Sequence, residues 1–358
     1  MPSPEAVKPM VGTTVMVAPK HLGGFAEACL EKLGFPPEDA SILADRWVWA
    51  ARRGKPTHSV IRLVQVAAAV REARVKPKVD WSPVRQRGGT TLLDARDGYG
   101  VIAGARGMRL AVKGARQHGS GVTVIRNCDN TGALGMFPGI AIAEGMIGMA
   151  ITNSNPIMGG WGGARPLIGN QAWSMGAPAG KNPPLLLDMH LAAGSLGTRR
   201  ESAASGTPMP PGIAADSRGV PTTDGKAALD GFMLPMAGYG GWGIAVMWEL
   251  LTGVLSGGMF LEDVGAHGKP QSERVSLFTM ALDPTAFMSA AEFDARVDEL
   301  IDRIHASPTA PGFDHVRVPG ETGGEHWNRH EQTVPVAQAD LDRLKPLAAE
   351  LGVALPLG

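Results

Sequence analysis

The sequence predicts an α/β protein that is helical at both ends and mixed in the middle. Three observations carry this. The first eighty residues repeat apolar side chains at helical spacing. From about residue 90 the apolar runs become short, β-branched and bounded by Gly, Asn and Pro. After about residue 285 the helical period returns. This divides the chain into an N-terminal helical segment (1–85), a mixed α/β domain (86–284) and a C-terminal segment (285–358) that packs back on the first.

Taken in order, PPEDASILADRWVWAARRG (36–54) opens with Pro and acidic residues and ends in Arg-Arg-Gly, a start-and-stop pattern for a helix. HSVIRLVQVAAAVREARV (58–75) keeps the helical spacing until Pro77 and Pro83 interrupt it. TTLLDA, GVTVIR, MIGMAITNS, PLLLDM and SLFTMALDP read as strands. ARGMRLAVKGARQHG lies between the first two and reads as a helix, as does GIAVMWELLTGVLSGG (243–258). MFPGIAIAEGMIGM (136–149) is a further helical run, and LEDVGAHGKPQSERV (261–275) a polar loop. Two more helices are expected over SAAEFDARVDELIDRIHAS and AQADLDRLKPLAAELGV.

Composition narrows the function classes. Hydrophobic residues make up 44% and charged residues 19%, enough for a sizeable core and unlike a disordered chain. Lys+Arg and Asp+Glu both number 34, with no basic run to follow phosphates, which disfavours nucleic acid as a partner. Two distant cysteines, Cys29 and Cys128, match no metal spacing and read as free thiols in a reducing compartment. The N-terminus lacks the apolar core of a signal peptide, and no apolar run reaches the ~18 residues of a membrane span. A cytoplasmic protein with no membrane partner is expected. Glycine is the outlier, at 48 of 358 residues, against a usual share of ~7%. Its clusters suit tight turns and close approach of backbone to a ligand.

Candidate site residues lie at such turns. In KPTHSVIRL, His58 and Arg62 are spaced i,i+4, which on a helix sets an imidazole beside a guanidinium. That pair suits either a solvent-exposed face or a carboxylate-bearing substrate, gripped by Arg and exchanging a proton with His. His190, two residues after Asp188, forms either an oriented pair with it or a structural histidine. RNCDNTGALG (126–135) packs five polar side chains, Asp129 and Asn130 among them, into a turn between apolar elements. EHWNRHE sets His326 and His330 at i,i+4 but reads as a loop without a third ligand, so no metal is expected. Two glycine motifs, at Gly98-x-Gly100-x-x-Ala103 and Gly238-x-Gly240-x-x-Gly243, lack the acidic residue a Rossmann site carries ~20 positions on.

In their order, these segments resemble the malate/L-lactate dehydrogenase family of the non-Rossmann type. That family also includes ureidoglycolate, sulfolactate and 2,3-diketogulonate oxidoreductases and cyclic-imine (Δ1-piperideine-2-carboxylate) reductases. THSVIRL (57–63) is similar to the family's Ser-His-Gly-x-x-Arg-Leu, and NCDNTGALG (127–135) to its Asn-x-x-His-Phe-Gly-Ala-Leu-Gly. ITNSNP, GGWGGARPLIGN, LLLDM, GVPTTD, LPMAGYGGWG, MALDPTAF and VPGE follow in register. The resemblance implies a large, mostly antiparallel cofactor-binding sheet with a helical domain built from both termini. It implies a homodimer using NADH or NADPH on a small-molecule carboxylate, with the site near the interface. By this resemblance His58, Arg62 and Asn130 are catalytic, with Asp129 and His190 as further candidates. Thr131, Gly132, Asn170, Asp188, Gly238 and Gly240 are cofactor-binding.

The departures fall on those positions. Asn130 stands where the family has a histidine, and asparagine is no acid or base near neutral pH. Gly240 replaces a lysine, GNQA (169–172) replaces Gly-Thr-Asn-Pro, and Leu191-Ala192 replaces Thr-Ser. Three functions stay open: a reductase of 2-oxo or cyclic 2-imino acids, cofactor-free lyase, isomerase or hydrolase chemistry around His58, and a non-catalytic dimeric binding protein.

Overall fold

A computed structural model describes residues 13–265 and 272–357. The N-terminal stretch and the centre of the loop expected over 261–275 therefore lie outside the described residues. The chain opens with β1 (Thr14–Val17), α1 (Pro19–Lys32), α2 (Pro37–Arg52) and α3 (Leu63–Arg71). Next come β2 (Arg85–Arg87), β3 (Thr90–Asp94), α4 (Gly100–His118), β4 (Ser120–Cys128), α5 (Pro138–Ile142) and β5 (Ile147–Thr152). The short strands β6 (Met158–Gly159) and β7 (Pro166–Ile168) precede β8 (Trp173–Ala177) and β9 (Leu185–Met189). Then follow α6 (Leu196–Ser205), β10 (Ala214–Ala215), β11 (Pro221–Thr222), α7 (Gly225–Leu229), β12 (Phe232–Met233), α8 (Tyr239–Glu249) and β13 (Val275–Leu282). The chain closes with α9 (Ala290–His305), α10 (Glu321–Arg329), β14 (Val334–Ala337) and α11 (Gln338–Leu351).

Seven strands form the main sheet in the order β2-β3-β4-β13-β5-β8-β9, antiparallel throughout except for β3–β4. The expected large antiparallel sheet is thus present. The β3–β4 pair is joined by α4, a single crossover unit. Helix α4 lies close on its sheet because Gly121 faces it: a Cβ there would sit 2.0 Å from the Ala111 carbonyl oxygen. The two termini meet as expected, β1 pairing with β14 and α11 packing on α1 and α3. Trp47, Leu43, Leu63, Leu93, Met108 and Phe137 are fully buried in the shared core, each stabilising the fold by about 1.5–3 kcal/mol. Both cysteines are buried free thiols.

Four local readings change. The run 58–75 is not one helix: 3₁₀ turns at Pro56–His58 and Val60–Arg62 precede α3, separated by extended Ser59 (φ −101°, ψ −161°). Pro56 starts the first turn, and the Ser59 hydroxyl closes back on the Pro56 carbonyl at 2.6 Å, an alternative to helical bonding. His58 and Arg62 therefore share no α-helical face. The first five residues of EHWNRHE are helical within α10, which starts after Gly320 (φ +102°) with Glu321 in its first turn and ends at Arg329, with His330 as its C-cap. Docking stabilises it: Arg52 stacks 3.6 Å from the Trp327 ring and donates to the Trp327 and His330 carbonyls. MFPGIAIAEGMIGM yields only the five-residue α5 before β5 begins. Finally, a five-stranded sheet, β11-β10-β12-β6-β7, is built from strands of two or three residues, too short to show a period.

Candidate active site

The site grows from the C-terminal end of α2. Gly54 (φ +74°) turns the chain, and the Lys55 amide closes on the Ala50 carbonyl at 2.9 Å. The next turn carries His58, whose amide donates to the Lys55 carbonyl at 3.0 Å. From here Lys55 Nζ donates to Asp188 Oδ2 on β9, forming an ion pair in which the side chains are 33% and 14% exposed. The turn after β4 reaches the same oxygen: a Cβ on Gly135 would lie 2.8 Å from Asp188 Oδ2. Opposite, Arg53 Nη2 donates to the Gly320 carbonyl at 3.1 Å and the Leu186 amide to that of Pro319 at 2.9 Å. These segments enclose a cavity of about 230 Å³ lined by Trp49, Arg53, Lys55, Asp188, Gly320 and Glu321, among others.

His58 is held in a low-dielectric, cationic setting. Its Nδ1 is buried without a hydrogen-bond partner. Burial, then Arg62 and Lys55, pushes its pKa down to about 4, while Asp188 opposes them. Arg62 Nε donates to the Thr57 carbonyl at 2.7 Å and Nη1 to Gln65 Oε1 at 2.5 Å. Its guanidinium borders a second groove of about 410 Å³ with Thr57, Gln65 and Arg343. The structure thus keeps His58 and Arg62 electrostatically coupled on successive turns.

The polar turn RNCDNTGALG (126–135) is folded on itself. Asp129 Oδ1 accepts the Asn130 amide at 2.8 Å, and Asn130 Oδ1 accepts that of Gly132 (φ +67°) at 3.0 Å. The Asn130 carbonyl oxygen is thereby committed to the turn, leaving its Nδ2 as the group to donate outward. Asp129 Oδ2 is buried without a partner, and burial raises the carboxyl pKa. Thr131 is buried beside it. Asn170 Oδ1 meets Ser154 Oγ at 3.1 Å, and its carbonyl takes the Leu191 amide at 2.8 Å. His190, just beyond β9, also has a buried Nδ1 without a partner. The Asp188–His190 pair considered from the sequence does not form, because Asp188 engages Lys55.

The glycine motifs are resolved by packing. At Gly100 a Cβ would lie 2.4 Å and 2.8 Å from the Asp129 and Asn130 carbonyl oxygens, so backbone fills the space a pyrophosphate would need. Gly238 (φ +59°) caps α8 and borders a separate cavity of about 730 Å³ with Trp161, Ala193, Arg218, Leu234 and Pro235. A Cβ on Gly240 meets nothing within 4 Å. Residues 190–192 bridge the two regions, since Met236 donates to the Leu191 carbonyl at 2.8 Å. Among the described residues no cluster of three or more His, Cys, Asp or Glu is placed to hold a metal ion, and no helix is long and apolar enough to cross a membrane. Lys55, Arg53 and Trp49 were missed by sequence reasoning; the only signal was that Lys55 shares the short KPTH segment with His58.

Residues 17–345 match the family described as malate/L-lactate dehydrogenase. The chain belongs to that family. It is 31% identical over 348 residues to a malate dehydrogenase from Pyrococcus abyssi, covering 95% of this chain and 96% of that one. Its structure superposes on a sulfolactate dehydrogenase from Methanocaldococcus jannaschii with a TM-score of 0.88 at 31% identity, covering 95% and 98% of the two chains. A Δ1-piperideine-2-carboxylate reductase from Pseudomonas syringae superposes with a TM-score of 0.82 at 27% identity, covering 94% and 100%. Membership of the malate/L-lactate dehydrogenase family makes this protein an oxidoreductase acting on small acids, on a fold whose antiparallel sheet differs from the parallel Rossmann sheet.

Proposed function

We propose that the protein is an NAD(P)H-dependent oxidoreductase of a small 2-oxo/2-hydroxy acid or cyclic 2-imino acid. The observation that carries this is the half-buried His58 imidazole, with a buried and unpartnered Nδ1, coupled to Arg62 and near the Lys55–Asp188 pair. The relatives compared above are named as dehydrogenases and a reductase, which supports redox chemistry over cofactor-free proton transfer. The residues present fit a nicotinamide dinucleotide. Unpartnered buried nitrogens remain on His58 and His190, and the glycine-lined cavity of about 730 Å³ at Gly238 carries Arg218, suited to a pyrophosphate. Thr131, Gly132, Asn170, Asp188, Gly238 and Gly240 would hold it. Bound there, the nicotinamide supplies or accepts the hydride.

The protein's own groups do the rest. Arg62 grips the substrate carboxylate with charge-assisted hydrogen bonds. In oxidation His58 takes the hydroxyl proton as the carbonyl forms, and in reduction it returns that proton to the oxygen or imine nitrogen. Asn130 donates a hydrogen bond to the reacting oxygen without moving a proton.

We further read residues 1–85 and 285–358 as the helical lobe and 86–284 as the sheet domain, working as a homodimer. The dimer rests on α8 and the π-helical turn that continues it (Leu250–Val254). Tyr239, Met247, Leu250, Val254 and Leu255 are exposed, and the only charge from 239 to 261 is the buried Glu249. A helix apolar on every face favours burial, here against a second copy. Calorimetric titration with NADH and NADPH, followed by turnover of 2-oxo and cyclic imino acids, tests the function. Micromolar binding of either nucleotide is expected; a folded protein that binds neither overturns it.

A further inference from the structure

His58 has a carboxylate within electrostatic reach, yet that carboxylate is committed elsewhere. Asp188 acts on His58 through space, but its Oδ2 is taken by Lys55 Nζ, and the His58 Nδ1 stays buried without a partner. The pair is built in. Lys55 is anchored by the backbone closure of α2 and Asp188 by the β8–β9 ladder, while Gly135 leaves just enough space for the carboxylate. The charged groups acting on His58 are Arg62 and Lys55 from its own segment and Asp188 from β9.

We propose that Lys55 is a positioning residue for His58: by holding Asp188 in an ion pair it withholds the carboxylate that would otherwise partner the imidazole, so His58 stays neutral and gives up a proton readily. This rests on the reading of His58 as the proton-transfer group. An imidazole paired to a carboxylate holds its proton more tightly. Withholding the partner therefore favours the reductive direction, in which protonated His58 gives its proton to the substrate oxygen or imine nitrogen. The two cations beside His58 push the same way.

The test reads the imidazole directly and needs no turnover. Imidazole ¹H–¹⁵N spectra of the full-length, nucleotide-free protein are titrated between about pH 3.5 and 8, a span that brackets the free imidazole value of ~6.5, with His58 assigned from the His58→Gln variant. In the native protein His58 titrates well below the ordinary histidine range. In Lys55→Met its midpoint rises by about one unit or more as Asp188 turns to it. Lys55→Arg keeps the native midpoint, and Lys55→Met/Asp188→Asn returns it downwards. Should Lys55→Met fail to fold, Lys55→Gln carries the same test. An unchanged His58 midpoint, with Asp188 moving instead to Arg53, overturns the proposal. A protein that turns over no 2-hydroxy acid would refute the proposed reaction and still leave this titration to decide the role of Lys55.

Discussion

Lys55 and Asp188 stand 133 residues apart in the chain and share an ion pair that ties the end of α2 to β9. The turn carrying Gly135 presses on the same carboxylate. Gly135→Ala places a methyl 2.8 Å from Asp188 Oδ2, so the carboxylate or the turn must shift. We expect a stability loss of about 1–3 kcal/mol from overpacking and a roughly tenfold fall in kcat/KM from the displaced pair. Denaturant titration and steady-state kinetics check both; a variant indistinguishable from native on both counts removes the turn from the site.

Arg62→Ala removes the proposed carboxylate grip. Charge-assisted hydrogen bonds contribute about 1.5–3 kcal/mol, so KM should rise by roughly 10- to 100-fold with a smaller effect on kcat. Arg62→Lys should fall between, because a point charge replaces a two-pronged donor. An unchanged KM in Arg62→Ala would sink the assignment.

The depressed pKa of His58 makes stability depend on pH. In the folded protein it titrates at about 4, and in the unfolded chain near the ordinary value of ~6.5. Between these values the unfolded chain binds a proton that the folded protein refuses. The stabilisation is therefore full above pH ~6.5 and is lost as pH falls towards 4. His58→Gln should lose about 1–2 kcal/mol less than native between pH 7 and 5. Equal losses, measured by denaturant midpoints at the two pH values, would show that His58 is not held neutral.

Glu249 is a buried carboxylate that accepts Asn153 Nδ2 at 3.3 Å, the Leu261 amide at 2.8 Å and Gln171 Nε2. Glu249→Leu strands these donors and should cost about 3 kcal/mol or more. Glu249→Gln, which keeps an acceptor, should cost about 1 kcal/mol. Thermal unfolding of the two variants separates a hydrogen-bonding hub from a passive buried group.

The exposed α8 face predicts its own disruption. A Met247→Lys/Leu255→Glu double variant should sediment as a folded monomer where the native protein sediments as a dimer, because each charge would be buried in the interface. A native protein that is already monomeric would remove the dimer.

Much of this protein is legible in its sequence, for a physical reason. Strands β3, β4, β5, β9 and β13 and helices α2, α4, α9 and α11 each bury an apolar face within one segment, so periodicity and end signals suffice. The ordered motifs around His58, Asn130, Asp188 and Gly238 carry the family resemblance, since they are local in sequence. What the tertiary structure decided is what depends on partners far along the chain. α10 is helical despite Gly323 and Gly324 because Arg52 docks on it. The two-residue strands exist only because neighbours complete their sheet. The helical spacing of His58 and Arg62 gave way to 3₁₀ turns around Pro56 and Ser59. The Lys55–Asp188 pair had no local signature at all. Charge and type of residue are written in the chain, but burial and the identity of a partner are properties of the fold.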